Sequence, residues 1–130
     1  MARKKILVTE DEKNILDSLK EILGDDYDVI TATNGAEGVK AAEAHKPDLI
    51  LLDVMMPVMD GMSACKRIKA NKDTAHIPVI FLTAKGQVYD MEEGIKAGAY
   101  AYMIKPFSPA RLLAKIEEVF EKIETRKKMK

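Results

Sequence analysis

The chain has little with which to staple itself, since 130 residues hold a single cysteine, Cys65. A lone thiol closes no disulfide. A chain of this length needs neither disulfide nor structural metal, because folding can remove roughly 68% of its extended-chain surface from water. It also lacks an excess of either charge, with 21 Lys+Arg against 21 Asp+Glu. Such a balance gives no overall attraction to nucleic acid, so direct binding to DNA or RNA is not expected without a local patch. No apolar run approaches the roughly 18 residues of a membrane span. The basic start, Met1 to Lys5, is followed only by the apolar Ile6 to Val8 before Glu10 and Asp11, far short of a signal-peptide core. These absences lead to an expected cytoplasmic protein in a reducing compartment, with no membrane association. Internal repeats, low-complexity stretches and interdomain linkers are missing too, which leaves one domain.

What is present is an alternation. Apolar runs too short for helices alternate with longer segments of helical period, the pattern of βα units and a parallel sheet. The strand candidates are Lys5 to Thr9, Asp28 to Ala32, Asp48 to Asp53, Ile77 to Thr83 and Ala99 to Ile104. Leu49 to Leu52 and Val79 to Leu82 are continuously apolar, as expected of central strands covered on both faces. Between them, Ile15, Leu19, Ile22 and Leu23 recur at helical spacing, as do Met62, Cys65 and Ile68, then Val88, Met91 and Ile95. The last helix carries Leu112, Leu113, Ile116, Val119, Phe120 and Ile123 on one side. Beyond it, residues 125–130 form a basic tail expected to fray, and the folded domain is assigned to 1–124.

In a doubly wound sheet the ligand site lies outside the carboxyl ends of the strands. The first strand ends in Glu10 and Asp11, the third in Asp53, the fourth in Thr83, and the fifth is followed by Lys105 and Pro106. Two like charges about 4 Å apart repel by about 4 kcal/mol at an effective dielectric of about 20, and three carboxylates compound this. Such a cluster calls for a cation, and oxygen ligands without His or Cys favour a hard ion such as Mg²⁺. A metal, a carboxylate nucleophile, a hydroxyl and a positioned lysine are the parts of a phosphoryl-transfer site.

The segments ILVTEDE around Glu10 and Asp11, PDLILLDVMMPVMDG around Asp53, PVIFLTA around Thr83, and GAYAYMIKPF around Lys105 complete the pattern. Taken in this order, each at a strand end, the sequence resembles the receiver domain of two-component response regulators from about Lys4 to Lys122. The resemblance implies an α/β fold of the CheY-like, flavodoxin-like kind, a (βα)5 doubly wound five-stranded parallel sheet in the order 2-1-3-4-5. It implies that Asp53 accepts a phosphoryl group from a sensor histidine kinase or a histidine phosphotransfer protein. Mg²⁺ would be held by Asp11, Asp53, the backbone carbonyl of Met55 and, through water, Glu10, which stands where the family more often has Asp. Lys105 would contact the phosphoryl oxygens, and Thr83 would close onto them. Tyr102 matches the aromatic that swings inward behind that threonine, and Pro106 is expected to follow a cis bond. The fourth helix, fifth strand and fifth helix would then change shape and control an unknown downstream effector protein or domain. A few charge-assisted hydrogen bonds at about 1.5–3 kcal/mol each supply the roughly 5.5 kcal/mol that such a switch needs.

Other readings carry less. Asp11 and Asp53 taken singly read as helix caps, but not together with Thr83 and Lys105. An aspartyl phosphatase needs a second acid where Met55 stands, and G-x-x-x-x-G-K-[ST] and G-x-G-x-x-G loops are absent. The expectation is therefore a signalling domain that catalyses only its own phosphotransfer and autodephosphorylation. A degenerate receiver that binds partners without phosphorylation is the alternative, and the intact set Asp11, Asp53, Thr83 and Lys105 argues against it. Cys65 reads as a buried small hydrophobe, and His45 and His76 as exposed. In the winged-helix branch of the family, dimers form through acidic residues just after the Gly-Ala of the fifth strand. Tyr100 and Ala101 stand there instead, so a salt-bridged dimer of that kind is not expected.

Overall fold

The computed structural model describes residues 3–84 and 91–129. Its elements alternate as β1 (Lys5–Thr9), α1 (Lys13–Leu23), β2 (Asp28–Ala32), α2 (Gly35–His45), β3 (Leu49–Asp53), α3 (Gly61–Ala70), β4 (Val79–Ala84), α4 (Met91–Lys96), β5 (Ala101–Lys105) and α5 (Pro109–Lys128). All strand pairs are parallel and form one five-stranded sheet in the order β2-β1-β3-β4-β5. This is the expected doubly wound fold.

The period of two along each strand divides the core between two faces. Leu7, Ile50, Leu52, Val79 and Phe81 meet α2 and α3 through Val39, Ala42, Ala64, Cys65 and Ile68. Ile6, Val8, Leu49, Leu51, Ile80 and Leu82 meet α1 and α5 through Leu16, Leu19, Leu23, Leu112, Ile116 and Val119. All of β3 is buried, which is why it reads as an uninterrupted apolar run.

Element boundaries move from expectation for local reasons. β4 starts at Val79 because Pro78 has no N–H to give to a ladder. β5 starts at Ala101 because the Gly98 and Ala99 amides turn back to the Ile95 and Gly94 carbonyls at the end of α4. α1 buries Leu16, Leu19 and Leu23, with Ile15 and Ile22 at the margin of the stripe. In the α4 stripe, Val88 lies outside the described residues, and Ile95 is 48% exposed rather than turned to the sheet. Gly94 takes the inner position, where a Cβ would come within 2.8 Å of the Phe81 ring. The tail expected to fray from Thr125 is helical through Lys128. Arg126, Lys127 and Lys128 fall in the last turn, where cations complement the helix dipole.

Candidate functional site

The register of the sheet assembles the site. Thr9 pairs with Leu52 and Asp53 with Leu82, so Glu10, one residue beyond β1, arrives beside Asp53. Thr83 pairs with Ile104 and Ala84 with Lys105, which puts the lysine at the same edge. The loop after Asp53 is shaped by Gly61, whose amide donates to the Val54 carbonyl at 2.9 Å. A Cβ at Gly61 would collide with the Asp53 carbonyl. Asp60 caps α3 by accepting from the Ser63 amide at 2.8 Å, as Asp-Gly before a helix should.

Carboxylate oxygens of Glu10, Asp11 and Asp53 all lie within 4.8 Å of one another. Glu10 is fully buried, Asp53 is 6% exposed and Asp11 faces solvent. The Lys105 ammonium lies 2.9 Å from Glu10 Oε1 and 3.3 Å from Asp53 Oδ2. Met55 donates its amide to Asp53 Oδ1 at 3.3 Å while its side chain stands out in solvent. Thr83 is buried at the end of β4, its hydroxyl donating to the Ala84 carbonyl over a long 3.4 Å. Tyr102 is 40% exposed on β5. The Lys105–Pro106 peptide is cis.

The electrostatics follow from burial. Desolvation, then the hydrogen bond and charge of Glu10, push the Asp53 carboxyl up to about 7, against the opposing pull of Lys105. Burial works the same way on Glu10. There, hydrogen bonds with Asp53, Lys105 and the Glu12 amide outweigh it and hold the group below the usual carboxylate range. Lys105 is held above its ordinary value, its burial outweighed by the two carboxylates. Of the two carboxyls, Asp53 is therefore the one that holds a proton more readily and Glu10 the one that stays ionised. Three hard oxygen donors with no imidazole or thiolate among them suit a hard divalent cation. Such a cation offsets the burial and the Glu10 charge that together favour the protonated form of Asp53.

Among the site residues expected from sequence, Glu10, Asp11, Asp53 and Lys105 form one cluster, Thr83 sits one strand over, and Tyr102 lies exposed on β5. The direct pairing of Lys105 with Glu10 is new. Residues 6–117 match the model of the response regulator receiver domain. The chain belongs to that family.

The receiver is 44% identical over 122 residues to the alkaline phosphatase synthesis transcriptional regulatory protein PhoP of Bacillus subtilis, a match covering 93% of this chain and 50% of that protein. It spans about half the length of the curated relatives it matches. Among solved structures, the Vibrio cholerae chemotaxis protein CheY4 superposes with a TM-score of 0.86 at 32% identity, covering 91% of the receiver and 99% of CheY4. The receiver domain of the sensor histidine kinase PA1611 from Pseudomonas aeruginosa superposes with a TM-score of 0.83 at 33% identity, over 90% and 97% of the two chains. That domain was solved with a magnesium ion coordinated in its active site cleft. The receiver is thus a signalling domain homologous to phosphorelay proteins, and the degenerate binding module is not favoured. No helix among its described residues is long and apolar enough to cross a membrane.

Proposed function

We propose that Asp53 is the phosphoacceptor, charged by a sensor histidine kinase or a histidine phosphotransfer protein, and that the resulting change is read by a downstream effector protein or domain. The observation that carries this reading is the buried Asp53 carboxyl, set within 4.8 Å of Glu10 and Asp11 and bridged by Lys105. A carboxylate oxygen of Asp53 attacks phosphorus, the phosphorus–nitrogen bond of the donor breaks, and the imidazole leaves with a proton.

Asp11, Asp53 and the Met55 carbonyl would hold Mg²⁺, with Glu10 reaching it through water. When bound, the ion neutralises the carboxylates and the incoming phosphoryl oxygens, so that like charges can approach. Lys105 exchanges its carboxylate partners for phosphoryl oxygens, and Thr83 trades its long bond to Ala84 for a shorter one to the same group. Tyr102, now exposed, then has space to turn in behind Thr83. It lines a hollow of about 560 Å³ along β5 and α5 together with Ile104, Lys105 and Arg111, so a shift at Lys105 reaches the β5 and α5 part of the surface that α4, β5 and α5 are expected to present to the effector.

On this reading the chain catalyses only its own phosphotransfer and autodephosphorylation, acts in the cytoplasm, and touches neither membrane nor nucleic acid directly. The receiver proper is 1–124, with the basic segment 125–130 beyond it, helical through Lys128. Borohydride reduction of the phosphorylated protein followed by peptide mapping tests the acceptor, since an aspartyl phosphate is reduced to homoserine. Homoserine at position 53 is expected, and a modified residue elsewhere contradicts the assignment.

A further inference from the structure

The pole of the sheet opposite the acidic cluster carries the complementary charge. Lys4 precedes β1, Lys46 precedes β3, His76 precedes β4, and Arg126 and Lys127 end α5. All border one groove of about 430 Å³. Lys69 joins its margin and donates its ammonium to the Ala75 and Ile77 carbonyls. Among the described residues, Lys4, Lys46 and Arg126 have no acidic partner within 4.0 Å, and Lys127 reaches only Glu124, at 4.0 Å. The groove also holds two acids, Glu124 and Asp48, the latter accepting from the Lys5 amide at 2.8 Å, against five Lys and Arg. A chain that balances overall therefore concentrates a net positive charge at this pole.

The floor between these cations is apolar, presented by the half-buried Phe120 and Ile123 with Pro47, Ile77 and Pro78 buried beneath. We propose that the groove binds an extended acidic segment of a partner protein, whose apolar side chains cover the floor while its carboxylates face the Lys and Arg rim. A small anion would leave the open parts of Phe120 and Ile123 in water. Single-stranded nucleic acid would need free aromatic faces for its bases. Each ring here already carries a cation over one face, with Lys4 Nζ 5.1 Å from the Phe120 ring centre and Arg126 5.7 Å from that of Tyr100. The groove shares no residue with the Glu10–Asp53 cluster, so this binding does not depend on the acceptor chemistry.

The test is a set of fluorescein-labelled peptides alternating glutamate with leucine or phenylalanine, titrated with the full chain and followed by anisotropy and by amide shifts of the labelled protein. Saturable binding that weakens with added salt is expected, with shifts at Gly98, Tyr100 and Ile123. Reversing two exposed rim charges together, Lys46→Glu with Arg126→Glu, should weaken it by about tenfold or more. Lys40→Glu, on the exposed side of α2, should not change it. Should the double variant lose its helical spectrum, Lys4→Glu alone carries the same expectation with a smaller loss. Absence of saturable binding, indifference to the rim reversals, or tighter binding of an oligothymidylate of equal length would each overturn the proposal.

Discussion

The Lys105 ammonium sits 2.9 Å from Glu10 Oε1, and no part of the Glu10 side chain reaches solvent. A buried carboxylate held by one lysine needs that lysine. Lys105 is therefore shared between Glu10 and Asp53, and its share at Asp53 is too small to keep that carboxyl ionised through neutrality. This division of one positive charge between two acids sets the resting chemistry of the site.

Stability should depend on pH through Asp53. Its pKa rises on folding from an ordinary 3.8 to about 7, so the folded state holds this proton more tightly than the unfolded chain. The corresponding stabilisation is full below the unfolded value and is lost as pH rises through the folded one. In metal-free buffer the melting temperature should fall between about pH 4 and pH 8. Asp53→Asn should flatten that slope and stabilise the protein at about pH 8 by on the order of 1–2 kcal/mol. A destabilised Asp53→Asn at that pH would contradict the account.

Magnesium and the proton should compete for the same carboxylate. Mg²⁺ affinity is expected to weaken by about tenfold for each pH unit below about 7 and to level off above it, with roughly one proton released per ion bound. Calorimetry in buffers of different ionisation enthalpy counts that proton. Glu10→Gln removes the neighbour that raises Asp53, so its midpoint should move to lower pH. Unchanged proton release in that variant would argue against the pairing.

Val58 adopts a left-handed φ of 68° with 83% of its surface in water. A β-branched residue is disfavoured there, and its side chain gains no burial in return. Val58→Asn or Val58→Gly should stabilise the receiver by about 1 kcal/mol in urea denaturation. A loss of stability would mean that the valine makes a contact that offsets its backbone strain.

Self-association is expected to stay weak. Lys115 and Lys122 both turn to Glu118, at 3.8 and 2.9 Å, and Arg126 lies over Tyr100. With Lys115 and Lys122 engaged within the helix, and Tyr100 and Ala101 leading into β5 in place of acids, α5 offers little for a salt-bridged pair of receivers. Sedimentation of the phosphorylated protein should find a monomer at micromolar concentration. A tight dimer abolished by Lys122→Glu would contradict this.

Much of this architecture is legible in the chain itself. The apolar run Leu49 to Leu52 announces a central strand because both faces of β3 are covered, and Asp53, ending it, is placed at the carboxyl edge by the same logic. The end of α5 is not legible, because its tail has no apolar stripe and is carried instead by its last-turn cations. Ile95 misleads for a related reason: helical spacing counts apolar side chains, whereas the close approach of α4 to Phe81 is made by Gly94, which has none. Within the site, residue types and strand ends identify Glu10, Asp11, Asp53 and Lys105 as neighbours. The division of Lys105 between two acids depends on side-chain reach across the sheet, which no spacing in sequence encodes.

The central claim is that Asp53 accepts a phosphoryl group with the help of a metal held by this carboxylate cluster. Intact mass after incubation with acetyl phosphate and Mg²⁺ tests it most directly, run beside Asp53→Asn and a chelator control. The account predicts a single phosphoryl adduct that disappears in both controls. An adduct that survives either control, or none in the native protein with Mg²⁺ present, would contradict it.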